Sequence, residues 1–232
     1  MSYLFAPPPV VSAAVVGETD RFPVRRIFCV GRNYAAHTRE MGGDPTRDAP
    51  FFFLKPADAL IGSGETIAYP SDTENLHYEI ELVVAIGQGG RDIAEDRALD
   101  HVFGYGVGVD LTRRDRQFEA RDKGRPWDLG KAFDQSAPMA ALHKAGDVGH
   151  LNQGRIWLAV NGEIKQEADL SQLIWSVPEV IAGLSQYYTL QPGDLIFTGT
   201  PDGIGALVPG DAVTAGIYGL DTLQHRIVAG GG

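Results

Sequence analysis

Three acidic residues stand where carboxylates are costly unless something positive joins them. In His77-Tyr78-Glu79-Ile80-Glu81-Leu82-Val83-Val84-Ala85-Ile86 the two glutamates are two residues apart. Such residues share one face of a strand, so Glu79 and Glu81 point together while Ile80 and Leu82 point the other way. The run then becomes continuously apolar, the pattern of a buried strand, where parallel carboxylates repel each other and lose hydration. A divalent cation offsets both costs. Asp110 adds a third acid at the end of Gly104-Tyr105-Gly106-Val107-Gly108-Val109, a glycine-rich run able to pair closely with the first. All-oxygen ligation by Glu79, Glu81 and Asp110 suits Mg²⁺ or Mn²⁺ and leaves positions for substrate and water. Zinc more often recruits His or Cys. His77, on the same face, is either a neighbour or a further ligand. The competing reading makes Glu-x-Glu the solvated face of an edge strand, and spacing alone does not separate the two.

A second constellation lies in Gly31-Arg32-Asn33-Tyr34-Ala35-Ala36-His37-Thr38-Arg39-Glu40. If Asn33 caps a short helix, His37 and Glu40 are three apart and share a face. A carboxylate beside an imidazole fixes its tautomer and raises its basicity, as a water-activating base requires. The glycine-bounded segment is short enough to act as a lid; the alternative is a surface ion pair. Arg114 and Gln117, three apart just after Asp110, project toward whatever the acids hold, and a guanidinium there suits a carboxylate-bearing substrate. Arg113 and Arg116 are assigned to solvent. Lys131 is either an oxyanion-stabilising group beside the acids or a solvated lysine, and Lys55 carries the same two readings. In Thr198-Gly199-Thr200-Pro201-Asp202-Gly203, backbone amides and the Thr200 hydroxyl can hold a carboxylate. The loop lacks Gly-Lys-Ser/Thr, which excludes a nucleotide-binding loop.

The elements that must carry these residues are mostly short strands. Glycine (29) and proline (14) punctuate brief apolar runs, which favours strands over long helices. Strands are predicted at 26–30, 51–55, 79–86, 103–109, 156–160, 194–198 and 211–218, the last two introduced by Pro-Gly-Asp turns. Helices are predicted at 33–41, at 112–123 with Thr112 and Asp115 as a capping pair, and at 176–188 with a serine cap and Pro178 in the first turn. The fold class is α+β and β-rich. An extended arm, 1–21, precedes a catalytic domain, 22–232.

Bulk properties narrow the function. With 232 residues, 44% of them hydrophobic, the chain can bury a sizeable core without staples. One cysteine, Cys29, permits no intrachain disulfide and fits a reducing compartment. A net charge of −10 disfavours nucleic acid and anionic lipid, yet a local cluster of metal and basic groups still admits small anions. The N-terminus has no basic region and is broken by prolines, so it reads as an arm rather than an export signal. No stretch approaches the roughly 18 apolar residues of a membrane helix. A cytoplasmic protein is expected.

These pieces, in this order, resemble the fumarylacetoacetate hydrolase family from about Phe22 to Ala215. The likeness rests on Val30-Gly31-Arg32-Asn33-Tyr34 with His37 and Glu40, Glu79-x-Glu81, Gly108-Val109-Asp110, Trp127 through Asp134, and Thr198-Gly199-Thr200-Pro201. Arg21 to Arg26 and Phe51 to Pro56 look most like the branch that cleaves fumarylpyruvate. The resemblance implies a fold of mixed β-sheets with few short helices, usually a homodimer. It implies Mg²⁺ or Mn²⁺ on Glu79, Glu81 and Asp110, a water-activating His37–Glu40 pair on a lid, and Lys131 as the catalytic lysine. Arg114, Gln117 and Thr200 are implied substrate contacts. The expected reaction is hydrolysis of a carbon–carbon bond in an acylpyruvate, fumarylpyruvate giving fumarate and pyruvate in the breakdown of aromatic compounds. Other acylpyruvates, oxaloacetate decarboxylation and an isomerase or hydratase keep the site and change the reaction; a calcium-binding β module without catalysis would explain the acids alone.

Overall fold

The computed structural model describes residues 2–44 and 49–230, so the first residue of the expected arm and the last two glycines of the expected domain lie outside it. Its centre is an eight-stranded mixed sheet. The order is Phe51–Lys55, Arg26–Gly31, Asp194–Phe197, Ile80–Ile86, Val102–Val109, Ala137–Met139 and Leu60–Gly62, with His143–Lys144 also on Val102–Val109. Asp194–Phe197 runs parallel to Arg26–Gly31 and antiparallel to Ile80–Ile86. Ile80–Ile86 pairs antiparallel with Val102–Val109, Ile80 opposite Val109 and Glu81 opposite Gly108. A five-stranded sheet (Glu163–Asp169, Arg155–Val160, Ala212–Ile217, Leu223–Val228, Thr66–Ala68) packs nearby. A three-stranded one (Thr112–Arg113, Leu76–Tyr78, Gly205–Leu207) closes one end.

Both faces of the central sheet are covered, which is why Ile80–Ile86 is apolar throughout instead of alternating. Ile80, Leu82, Val84 and Ile86 join Tyr105, Val107 and Val109 in the larger core, together with Ile156, Leu158 and Ala215 of the five-stranded sheet. Val83 and Ala85 join Ile27, Cys29, Leu195 and Phe197 in the second, under Ala13, Val15 and Phe22. Ser12–Ala13 pairs with Phe22–Pro23, so the N-terminal segment folds back onto this second face.

Helices are short: α1 Ala35–Glu40, α2 Arg114–Asp122, α3 Asp128–Lys131, α4 Ala145–Val148 and α5 Val177–Tyr187. Among the described residues no helix is long and apolar enough to cross a membrane. α5 begins as expected, with Ser176 and Glu179 in a reciprocal capping box and proline in the first turn. Two expected caps are not caps. Tyr34, not Asn33, precedes α1, and no side chain caps it. The Asn33 amide instead donates to the carbonyls of Trp175 and Thr198 and accepts from the Trp175 amide, tying three loops together. Thr112 lies in a strand and is fully buried, while Asp115 accepts from Thr73 and the Glu74 amide.

Candidate active site

The strand parity anticipated for Glu79 and Glu81 is realised with one modification. Glu79 sits in the break between Leu76–Tyr78 and Ile80–Ile86, where its carbonyl accepts the Asp110 amide at 2.8 Å. That bond draws the ends of two neighbouring strands together and brings Asp110 beside both glutamates. All three are buried, and one carboxylate oxygen from each lies within 4.8 Å of the others.

The carboxylates do not share the same surroundings. Glu79 Oε1 accepts from Arg114, and Oε2 accepts from Lys131 Nζ at 2.7 Å. Burial pushes its carboxyl up, but Lys131 and Arg114 overcome this and hold it well below the ordinary carboxylate range. Asp110 Oδ2 accepts from Lys131 at 2.6 Å. Lys55 Nζ stands 2.8 Å from Asp110 Oδ1, but it directs its hydrogen bonds to the carbonyls of Leu111 and Lys131. Oδ1 thus feels the charge and receives no directed hydrogen bond. Glu81 has neither cation as a direct partner among the described residues; its Oε2 accepts only the Gly199 amide, at 2.7 Å. Burial, then Asp110 and Glu79, raise its carboxyl well above the ordinary value. An orphaned Asp110 oxygen beside an uncompensated glutamate is what an oxygen-preferring divalent cation would satisfy, so these residues fit one.

Lys131 is not a solvated lysine. It is 2% exposed, and α3 aims its ammonium at Glu79, Asp110 and, at 2.7 Å, the Thr112 hydroxyl. Burial would lower its pKa, but the Asp110 and Glu79 carboxylates outweigh that and raise it. Lys55 is buried likewise. Arg114, on the first turn of α2, also donates to Gln117 Oε1, so both face the acids as their spacing implied. Arg113, expected in solvent, is only half-buried, its guanidinium 4.6 Å from the Phe133 ring centre. His77 pairs through Nε2 with Asn75 Oδ1 at 2.8 Å and stays outside the carboxylate cluster. Burial, with Arg114 beside it, lowers its pKa to about 4.

His37 and Glu40 meet on one face of α1, Nδ1 to Oε2 at 3.1 Å. Glu40 Oε1 accepts the Gly203 amide at 3.0 Å, which fastens α1 to the Thr198–Gly203 loop. Gly199 takes φ 101, the left-handed region where glycine is unpenalised, and this turns its amide onto Glu81. Thr200 is buried, held by Gln166 Nε2 at 2.9 Å. Gln166 also donates to the Pro201 carbonyl and accepts the Ile80 amide. It therefore braces the Thr198–Gly203 loop against the acid-bearing strand.

One cleft is lined by Glu79, Glu81, Asp110, His37, Lys131, Arg114, Gln117 and Thr200. Arg32, Met41, Phe51, Phe53, Arg121 and Trp127 also line it. Sequence reasoning gave these six no role, and it missed Gln166. Arg32, Phe51, Phe53 and Trp127 fall within the family-like segments, whereas Met41, Arg121 and Gln166 carried no signal.

The family described as "Fumarylacetoacetate (FAA) hydrolase C-terminal" matches residues 26–228. Over 184 residues the chain is 48% identical to a fumarylpyruvate hydrolase of Ralstonia sp., covering 79% of this chain and 95% of that one. It is 41% identical over 203 residues to the mitochondrial oxaloacetate tautomerase of Homo sapiens, covering 88% and 91%. The crystal structure of fumarylpyruvate hydrolase from Pseudomonas aeruginosa in complex with Mn²⁺ and pyruvate superposes with a TM-score of 0.96 at 54% identity, covering 98% and 100%.

Proposed function

The chain belongs to the fumarylacetoacetate hydrolase family, and on that premise we propose that it hydrolyses a carbon–carbon bond in an acylpyruvate, fumarylpyruvate foremost, with Mg²⁺ or Mn²⁺ as cofactor. The observation that carries this reading is the convergence of three buried carboxylates with a histidine–glutamate pair on one cleft. Glu79, Glu81 and Asp110 would hold the cation. When bound, it would grip the α-keto acid end of the substrate and stabilise negative charge developing there.

The protein's own residues supply the rest. Glu40 accepts from His37 Nδ1, which leaves Nε2 as the base that takes a proton from water. The resulting hydroxide adds to the acyl carbonyl. The bond from that carbon to the adjoining methylene then breaks and its electron pair leaves as the enolate of pyruvate; the proton held by His37 returns to the enolate carbon, and the acyl carbon departs as a carboxylic acid that loses its proton to solvent. Lys131 offers a charged donor to the developing oxyanion. Arg114 and Gln117 orient substrate oxygens, and the Thr200 hydroxyl holds a carboxylate. Fumarylpyruvate gives fumarate and pyruvate.

A second reading keeps the site and acts on oxaloacetate, by decarboxylation or tautomerisation; the human oxaloacetate tautomerase supports the latter. The histidine–glutamate pair favours hydrolysis. A non-catalytic calcium module would leave that pair and Lys131 without a role. The proposal includes a cytoplasmic homodimer serving aromatic breakdown, as the family resemblance implies; the single, buried, unpaired cysteine fits a reducing compartment. The test is turnover of fumarylpyruvate, acetylpyruvate and oxaloacetate, with Mn²⁺ and with chelator, followed by diketo-acid absorbance. Chelator-sensitive cleavage of fumarylpyruvate to equimolar fumarate and pyruvate is expected. Action on oxaloacetate alone would overturn the hydrolase reading.

A further inference from the structure

We propose that Arg32 and Arg121 form a second cationic pole at the mouth of the cleft, where they bind the far carboxylate of a dicarboxylic acylpyruvate. This rests on the acylpyruvate reading above and names the determinant of its acyl specificity.

The cleft has two unlike ends. At the inner end stand the three carboxylates with Lys131 and Arg114. From there an aromatic wall leads outward. Lys131 Nζ is 5.1 Å from the Phe53 ring centre, Phe53 is 5.8 Å from Trp127, and Trp127 is 5.3 Å from Phe51. Arg32 Cζ then lies 5.9 Å from Phe51. The wall therefore begins at a buried ammonium and ends at an exposed guanidinium. Its packing depends on Gly31, because a Cβ there would stand 2.0 Å from Phe51 Cζ. Arg32 follows at φ 57, a left-handed conformation that is costly for a residue with a Cβ. No carboxylate among the described residues pairs with Arg32.

Arg121 reaches the same cleft from α2. Arg114, Gln117 and Arg121 are spaced i, i+3, i+7, one stripe of a helix, and all three line the cavity. Arg114 is engaged by Glu79 and Gln117. Arg121 lies seven residues farther on, about 10 Å along the axis. Its carboxylate partner among the described residues is Asp122 at 3.0 Å, a mostly exposed group that a bound anion can displace.

The two ends suit an elongated diacid. Six carbon–carbon bonds in extended form span about 7.5 Å between terminal carboxyl carbons. With the α-keto end at the inner carboxylates, the other carboxylate arrives near the rim, where a guanidinium can bind it through paired hydrogen bonds. The aromatic wall faces the flat unsaturated segment between them. An acyl group ending in a methyl puts no charge at the rim.

The test compares fumarylpyruvate with acetylpyruvate, which shares the keto-acid end and lacks the far carboxylate, in Mn²⁺-loaded wild type, Arg32→Gln and Arg121→Gln. Each variant is expected to raise KM for fumarylpyruvate and to lower the fumarylpyruvate-to-acetylpyruvate ratio of kcat/KM by about 10-fold, the scale of one lost charged hydrogen bond. Calorimetric titration with fumarate, a readout without turnover, should weaken in step, and Arg32→Lys should recover part of the loss. An unchanged ratio in both variants, or a proportional fall for both substrates, overturns the assignment while leaving acylpyruvate cleavage intact. A wild-type enzyme that cleaves neither substrate overturns the functional reading itself, and this assignment with it.

Discussion

Replacing Lys131 with methionine removes the one ammonium hydrogen-bonded to both Glu79 and Asp110 and preserves much of the stem's packing. At a pH high enough to ionise Glu81, three buried carboxylates face three buried cations, Lys55, Lys131 and Arg114, and the cation-free site is locally neutral. Without Lys131 one negative charge is left over in a region nearly closed to water. Removing one partner of a buried ion pair costs about 3–5 kcal/mol. At this chain length each kcal/mol moves the melting temperature by about 2–4 °C, so in chelator Lys131→Met should melt about 6–20 °C below wild type. A divalent cation restores the missing charge. Added Mn²⁺ should therefore raise the variant's melting temperature by more than it raises that of wild type, and calorimetric titration should show tighter Mn²⁺ binding. Turnover should still fall at least about 100-fold, because the proposed charged donor to the oxyanion is gone. Melting curves in chelator and in saturating Mn²⁺ check both halves. A variant that melts with wild type in chelator, or that gains less from Mn²⁺, refutes the charge accounting.

Three further outcomes are expected. His37→Ala should lose about 100-fold or more in kcat while still binding Mn²⁺, whereas Asp110→Ala should lose both turnover and binding; full activity in His37→Ala would remove it as the base. Because the Glu81 carboxyl is raised above its ordinary 4.5, the cation-free protein loses stability as pH climbs through the window above 4.5, and a cation must displace that proton. Calorimetry at pH 5.5 in buffers of differing ionisation enthalpy should record proton release on Mn²⁺ binding, and Glu81→Gln should abolish it. His225 is buried with neither ring nitrogen hydrogen-bonded among the described residues, and burial lowers its pKa from 6.5 to about 4. The unfolded chain takes up that proton first, so stability should drop by up to about 3 kcal/mol as pH falls from 6.5 toward 4. His225→Leu should flatten that slope in urea melts across the interval.

Most of the centre was legible because it is written in local pattern. Phe51–Lys55 matches its expected span, and Arg26–Gly31, Ile80–Ile86 and Val102–Val109 match within a residue. Each is an apolar run ended by Gly, Pro or a charge, and burial on both sheet faces makes such runs continuous. The two-residue period of a strand sufficed to put Glu79 and Glu81 together, and the glycine-rich strand beside them brought Asp110 to both. What was not legible depends on distant segments. Glu163–Asp169 reads as polar, since Gln166 is its only fully buried side chain, and nothing local reveals that Gln166 braces a loop 34 residues away. Asn33 and Thr112 had the composition of helix caps, and tertiary partners claimed them first: Trp175 and Thr198 for the amide, Lys131 for the hydroxyl. Lys55 and Lys131 could not be told from solvated lysines without knowing that Asp110 would face both.

The claim on which the account rests is that Glu79, Glu81 and Asp110 hold one divalent cation next to His37. Its most direct test is a crystal structure of the Mn²⁺-soaked protein with anomalous scattering recorded at the manganese edge. The account predicts a single strong peak within coordination distance of one carboxylate oxygen from each of the three residues. A peak bound elsewhere, or none at saturating Mn²⁺, would contradict it.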